Sequence, residues 1–227
     1  MLGRTLAEQG YGGGLWPPPP LVAVKAPVFS MSKLGGVDTF LGPEMKSTGE
    51  VMGVDLGFEA AVRKALIASG LDLHPGTPVL LSLADRTKAE AVPLIRALHE
   101  AGCPLYATPG TADLVGALGI PVSRVSKLTD DGRRVREPVE GQPTVADVIA
   151  DARVRAVVNT LEGKSTTHIR DGFYIRRQAT EQRIPCFTSL DTAGAAIRAL
   201  ARPGSYEIRP LPEYRDGVAV AAAGGAE

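Results

Sequence analysis

The sequence predicts an α/β fold in which a parallel sheet lies between two layers of helices. Two observations support this prediction. From Thr77 onwards, short apolar strands alternate with helical stretches of about ten residues, and strands separated by helices form parallel sheets. The strands are also apolar almost without interruption, as in Val79-Leu80-Leu81, which is typical of strands buried on both faces.

The alternating region predicts five strands and five helices. Strands are expected at 79–83, 104–107, 122–125, 156–159 and 185–188, and helices at 88–100, 112–118, 145–152, about 169–181 and 190–200. Thr87 with Glu90, and Thr144 with Asp147, have the spacing of capping boxes at two helix starts. Pro93 either bends the first of these helices or shifts its start.

The first 76 residues are organised differently. Glycines and prolines around Trp16 indicate an irregular stretch, and residues 21–29 predict one strand with no neighbouring strand to pair with. Residues 1–50 are therefore either a floppy arm or the end of a larger domain. Asp55 is expected to cap a helix over about 57–69, followed by Gly70 and a linker. These patterns divide the chain into units at 1–72 and 73–209, with a mobile loop at 129–141 and a disordered tail at 210–227.

Composition excludes some functional classes. Lys and Arg together number 25, as do Asp and Glu, and a net charge of zero argues against a broad nucleic-acid surface. No apolar run is long enough to span a membrane, and no secretory signal pattern is visible. Cys103 and Cys186 both lie beside Pro in apolar surroundings, so we expect structural thiols in a cytoplasmic protein.

Polar and small residues follow the predicted strands at the edge where their carboxyl ends meet. Open α/β sheets bind ligands at this edge, and hydroxyl groups, amines and helix N-termini suit a phosphate. Lys88 is expected at the first position of a helix, where the helix dipole disfavours a cation unless an anion binds. Each residue taken singly is also compatible with a plain turn or a solvated surface. The candidate binding residues are Ser82, Lys88, Thr108, Gly110, Thr111, Lys127, Asn159 and Thr160.

No catalytic or metal-binding residues are predicted. The sequence lacks a Walker-type loop, a G-x-G-x-x-G motif and a G-x-S-x-G elbow, and no carboxylate cluster is placed to hold magnesium. We interpret His99 and His168 as surface residues, and Arg176-Arg177 as a salt-bridging or interface face of a helix. The missing general base favours binding over catalysis.

Three segments carry a resemblance to a known family. The stretch Gly42-Pro43-Glu44-Met45-Lys46-Ser47-Thr48-Gly49-Glu50-Val51-Met52-Gly53 resembles the end of the carbamoyl-phosphate domain in the large subunit of carbamoyl-phosphate synthase, and residues 3–10 resemble a segment just upstream. Residues 77–201 resemble that subunit's C-terminal allosteric domain, which has the methylglyoxal-synthase-like fold. The resemblance implies that residues 1–72 are a remnant of an ATP-grasp-type domain.

The resemblance also implies a function. The family makes carbamoyl phosphate from bicarbonate, glutamine-derived ammonia and two ATP, for pyrimidine and arginine biosynthesis. The ATP sites and their Mg²⁺ or Mn²⁺ would lie upstream, so this chain alone is expected to be inactive and without a cofactor. Its domain would bind UMP or IMP as an effector, form part of an oligomer, and work with the rest of the large subunit and the glutaminase small subunit.

Individual residues are carried over from the family by their motifs. Ser82, Lys88, Thr108, Thr111 and Lys127 would contact the effector's phosphate, Asn159 and Thr160 its ribose or base, and Thr188 would lie on the ornithine side. Leu161 stands where the family can have a second threonine, and Ala26 where an acidic residue often follows the lysine. Two alternatives remain: a ligand-free oligomerisation module, and a phosphate lyase of the methylglyoxal-synthase type, for which we find no base.

Overall fold

The computed structural model describes residues 3–10, 13–15, 21–30, 44–71, 73–127, 141–161, 166–200, 206–210 and 212–214. It confirms the predicted α/β fold. The strands are β1 (Val22–Val28), β2 (Gly49–Asp55), β3 (Val79–Ser82), β4 (Leu105–Ala107), β5 (Ser123–Arg124), β6 (Ala156–Asn159) and β7 (Cys186–Phe187). The helices are α1 (Phe58–Ala68), α2 (Val92–Glu100), α3 (Pro109–Ala117), α4 (Val145–Ala150), α5 (Thr166–Glu181) and α6 (Leu190–Leu200).

Strands β3 to β7 form one parallel sheet in the order β5-β4-β3-β6-β7. Successive residues of β3 face opposite sides, so Val79 and Leu81 join one apolar cluster while Leu80 joins the other. The first cluster packs under α2, α3 and α6, and the second packs under α4 and α5. This arrangement explains the continuous apolar strands, because both faces of the sheet are covered.

The start of α2 lies four residues after the predicted position, which confirms the alternative that Pro93 shifts the start of this helix. A 3-10 turn at Asp85–Thr87 follows β3, and α2 begins only at Val92 with Pro93 in its first turn. Proline fits there because the amides of a first turn have no partner within the helix. The Thr87 hydroxyl donates to the Ala84 carbonyl at 2.9 Å and caps no helix, so the capping box expected with Glu90 is wrong. The one at Thr144 and Asp147 is confirmed.

The predicted single strand has a partner. β1 pairs antiparallel with β2 along its whole length, from Val22 opposite Asp55 to Val28 opposite Gly49. Sequence analysis missed β2 because glycines stand within it, and glycine usually weakens a strand. Gly53 is required by packing: a Cβ atom there would lie 2.1 Å from the Ala61 carbonyl oxygen on α1. The antiparallel pair of β1 and β2 therefore lies directly against the backbone of α1.

Asp55 ends β2 and anchors α1 from the side. Its carboxylate lies 2.6 Å from Lys64 Nζ, while Gly57 occupies the position before α1, so the predicted cap is wrong. Burial alone would raise the pKa of Asp55, but hydrogen bonds from Lys64 and from the Leu56 N–H hold that pKa below its usual value. Burial likewise opposes the charge on Lys64, yet its partners Asp55 and Tyr214 raise the pKa of the amine.

Tyr214 fastens the end of the described chain to α1. Its hydroxyl accepts a hydrogen bond from Lys64 at 2.7 Å and donates to the Glu207 carbonyl at 2.8 Å. Only 8% of the residue is exposed, so at this position the structure departs from the predicted disordered tail. The predicted mobile loop and residues 215–227 lie outside the described residues, apart from Gly141.

The first predicted unit shares a core with the sheet. Leu66 of α1 and Leu71 pack against the apolar cluster under α2, α3 and α6, and Leu73 belongs to that cluster. The predicted boundary near residue 72 is therefore crossed by apolar contacts. In the described part of the chain, no helix is both long and apolar enough to cross a membrane.

We predict that Gly53→Ala destabilises the protein by about 1–3 kcal/mol or more, because its methyl group would overlap a helix backbone that cannot rotate away. Gly49→Ala is the matched control in the same strand, since a Cβ there would only touch Val28 Cβ at 4.0 Å. Urea unfolding of both variants measures the difference. Equal stabilities for the two variants would contradict the close packing of β2 on α1.

Candidate functional site

The parallel topology brings most of the predicted binding residues to one edge of the sheet. Ser82 ends β3 opposite Asn159, which ends β6, and Thr108 directly follows β4. Lys127 comes after β5 at one flank of this edge, and Thr188 comes after β7 at the other. Ser82, Lys88, Thr108, Gly110, Thr111, Asn159 and Thr160 therefore form the centre, which we call the carboxyl edge.

Three hydroxyl groups lie together at the centre of the carboxyl edge. Thr108 Oγ1 lies 3.4 Å from Ser82 Oγ and 3.5 Å from Thr111 Oγ1, and all three residues are buried. Thr111 Oγ1 also accepts a hydrogen bond from the Leu83 N–H at 3.0 Å. The hydroxyl hydrogens of Ser82 and Thr111 find no acceptor among the described residues, so both groups can donate to a ligand.

Lys88 lies over the first turn of α3. A Cβ atom on Gly110 would be only 2.9 Å from Lys88 Nζ, so the missing side chain makes room for the amine. The Lys88 amine also forms a salt bridge with Asp85 at 2.6 Å. The expectation that Lys88 begins a helix is wrong, because Lys88 precedes α2 by four residues. The electrostatic argument applies to α3 instead, where a cation beside the N-terminus is unfavourable unless an anion offsets it.

Asn159 and Thr160 hold the turn that follows β3. Asn159 Nδ2 donates to the Ser82 carbonyl at 3.2 Å, and Thr160 Oγ1 accepts from the Ala84 N–H at 2.8 Å. Thr160 Oγ1 also lies 2.8 Å from Thr87 Oγ1. Because Thr87 already donates its one hydroxyl hydrogen to the Ala84 carbonyl, Thr160 must be the donor between these two hydroxyls. Thr160 therefore uses its hydroxyl to support the turn.

Sequence analysis missed a buried arginine behind this edge. Arg176 on α5 is 0% exposed and donates from Nη1 to Asn159 Oδ1 at 2.9 Å. Gly172, one helical turn earlier, leaves the space for it, because a Cβ there would lie 2.7 Å from Arg176 Nη1. Arg177 pairs with Glu181, as expected for a salt-bridging face, whereas Arg176 is turned inward and fully buried. The usable signal was the four-residue spacing of Gly172 and Arg176, which places both on one helical face.

The carboxyl edge presents hydrogen-bond donors, which suits an anion. The donors are the Lys88 amine, two hydroxyl groups and the Gly110 amide, since Pro109 has no N–H and the Thr111 N–H already donates to the Thr108 carbonyl at 2.9 Å. Within the described ranges, no group of three His, Cys, Asp or Glu residues could hold a metal ion. Two open clefts of about 540 and 400 Å³ lie elsewhere, one lined by Arg155 and Arg183 and the other by Pro93 and Ile197. The case for the carboxyl edge therefore rests on its chemistry.

We predict that Thr160→Val destabilises the protein by about 1–3 kcal/mol, because it leaves the buried Ala84 N–H without an acceptor. Thr160→Ser keeps the hydroxyl and is the control, with a smaller loss expected. Chemical denaturation of both variants gives the comparison. If valine and serine behave alike, Thr160 does not support the turn through its hydroxyl.

Two comparisons with known proteins show what this chain resembles. A family profile described as the MGS-like domain matches residues 90–188, which include six of the eight predicted binding residues. The chain is also 55% identical over 223 residues to a carbamoyl phosphate synthase large chain from Thermomicrobium roseum. That alignment covers 98% of this chain and 20% of the relative, so the chain spans about a fifth of the relative's length. The chain is therefore similar to one segment of a carbamoyl phosphate synthase large chain, and its residues 90–188 match the MGS-like domain.

Proposed function

We propose that this chain is the regulatory C-terminal part of a carbamoyl-phosphate synthase large subunit and that it binds a nucleotide effector, UMP or IMP, at the carboxyl edge. One observation carries the proposal: Lys88 extends its amine over Gly110 at the N-terminus of α3. An amine and a helix N-terminus repel each other but both attract a phosphate. The neighbouring hydroxyls of Ser82 and Thr111 supply further donors, and the Thr108 hydroxyl lies between them at 3.4 and 3.5 Å.

Different residues of the carboxyl edge bind different parts of the ligand. The phosphate lies among Lys88, Gly110 and the hydroxyl cluster, with Lys127 approaching from the flank of β5. The ribose or base lies toward Asn159, which belongs to the neighbouring strand β6. Thr160 acts through the turn that it supports. Leu161, whose side chain offers no hydrogen bond to a ribose, contributes its carbonyl to Arg86 through two bonds at 3.2 and 3.0 Å.

The remaining activities belong to the longer protein. The full large subunit uses ATP with Mg²⁺ or Mn²⁺ and ammonia from the glutaminase small subunit, in the cytoplasm, for pyrimidine and arginine biosynthesis. Residues 1–72 are the end of its ATP-grasp-type synthetic domain, and Thr188 lies toward the ornithine site. Effector binding in the domain formed by β3 to β7 influences the synthetic domain through α1, because α1 packs on both the β1–β2 pair and the core of the sheet.

A ligand-free assembly module is the second candidate, and one observation favours it. Asp85 already offsets the charge of Lys88 at 2.6 Å, so the amine is not left without an anion. The Asp85 side chain is 76% exposed, however, and a surface ion pair contributes about 0–1 kcal/mol. A phosphate that makes several charge-assisted bonds can displace it.

We predict that the chain binds UMP or IMP and that Gly110→Ala weakens binding about tenfold, because the new methyl group displaces the Lys88 amine. Alanine is the better helix former, so this variant should unfold at the same or a higher temperature. Isothermal titration calorimetry measures the affinity, and thermal unfolding measures the stability.

Gly116→Ala is the matched control, since it lies in the same helix and its Cβ would meet nothing within 4 Å. It should bind as the wild type does. No heat of binding for either nucleotide at millimolar concentration, together with an unchanged oligomeric state on addition of nucleotide, would refute the effector site and favour the assembly module.

A further inference from the structure

We propose that Arg176 is a positioning residue of the effector site: acting through Asn159, it makes that amide offer its NH₂ group, and not its oxygen, to the phosphate-bearing ligand. The inference rests on the proposed function, because it concerns the same ligand. Arg176 itself does not reach the edge. It lies behind β6, fully buried, with Asn159 between it and the turn after β3.

The contacts of Asn159 fix the orientation of its amide. Its two sides meet groups of opposite character: the Ser82 carbonyl can only accept a hydrogen bond, and the Arg176 guanidinium can only donate one. Only one orientation satisfies both partners, with the NH₂ group toward Ser82 and the oxygen toward Arg176. The alternative orientation would face oxygen against oxygen at 3.2 Å and nitrogen against nitrogen at 2.9 Å.

The fixed orientation determines what the edge offers to a ligand. The Asn159 NH₂ group has two hydrogens, and the Ser82 carbonyl takes one of them. The other adds a donor to those of Lys88, Ser82 and Thr111, while the amide oxygen is directed away from the edge and toward Arg176. A ligand with acceptor oxygens, such as a phosphate ester with its ribose, fits this arrangement. Without Arg176 the amide could turn and present an oxygen, which repels such a ligand.

The helix makes specific room for the arginine beside Asn159. Burying a guanidinium is expensive unless it is well paired, so its place has to fit its partners. The chain makes room for Arg176 with Gly172, although glycine within a helix costs about 0.5–1 kcal/mol relative to alanine. A Cβ at Gly172 would lie 2.7 Å from Arg176 Nη1 and 3.2 Å from Asn159 Oδ1, so the glycine serves the contact between these two groups.

The experiment compares three variants with the wild type. Gly172→Ala keeps the arginine but displaces its guanidinium, Arg176→Met removes the donors, and Arg176→Lys restores one cationic donor. Arg177→Met is the matched control, because the neighbouring arginine forms an exposed salt bridge with Glu181. Calorimetry with UMP and IMP gives the affinities. The side-chain ¹⁵N–¹H signals of Asn159, identified by their loss in Asn159→Asp, report directly on the orientation of the amide.

We expect Gly172→Ala and Arg176→Met to weaken nucleotide binding about tenfold and to shift the Asn159 amide signals, with partial recovery in Arg176→Lys. Arg177→Met should leave the affinity and the signals unchanged. If Arg176→Met does not fold, Gly172→Ala decides the question, since alanine favours the helix.

The two proposals fail in different ways. If the wild type binds neither nucleotide, the proposed function fails and the role of Arg176 falls with it. If the wild type binds and folded Gly172→Ala binds equally well, only the role of Arg176 is refuted. Weakened binding with unchanged Asn159 signals also refutes it, because a positioning residue must act through that amide.

Discussion

The turn after β3 is held in place by side chains from its neighbours, and the rest of the carboxyl edge depends on this anchoring. Thr111 from α3 accepts the Leu83 N–H, and Thr160 after β6 accepts the Ala84 N–H. Buried amides without a partner are costly, so these two hydroxyls determine the path of the chain toward Lys88. Lys88 can then reach Gly110 on α3, the helix that follows β4.

The same residues thus support the structure and, in the proposed function, also bind the ligand. Thr160 is fully engaged by the turn, while Ser82, Thr111 and Lys88 keep donors that a ligand can use. The edge holds an amine against a helix N-terminus, an arrangement that is unfavourable unless an anion offsets it, and the exposed carboxylate of Asp85 is the anion that does so here.

The sheet could be predicted from the sequence because the parallel strands are buried on both faces and therefore uniformly apolar. Details that depend on tertiary contacts could not be predicted from the sequence. Thr87 has the sequence spacing of a helix cap, yet its hydroxyl donates to the Ala84 carbonyl, and α2 begins only with Pro93 in its first turn. From the sequence alone, Gly53 indicates an interrupted strand, because only the tertiary structure shows that α1 packs against it. The candidate site residues were predicted from strand ends, and the parallel topology brings those ends together, while their binding role stays a prediction. The burial of Arg176 could not be predicted, because its sequence pattern is that of an ordinary cation on a helix.

The most direct measurement is a titration of the ¹⁵N-labelled chain with UMP and IMP, followed at the backbone amide of Gly110. This amide lies in the first turn of α3 beside the Lys88 amine. Phosphate binding at the carboxyl edge predicts a large downfield shift of the Gly110 signal that saturates with nucleotide, because the amide gains a charged acceptor. Saturable shifts confined to other parts of the chain, with an unmoved Gly110 amide, would contradict the central claim.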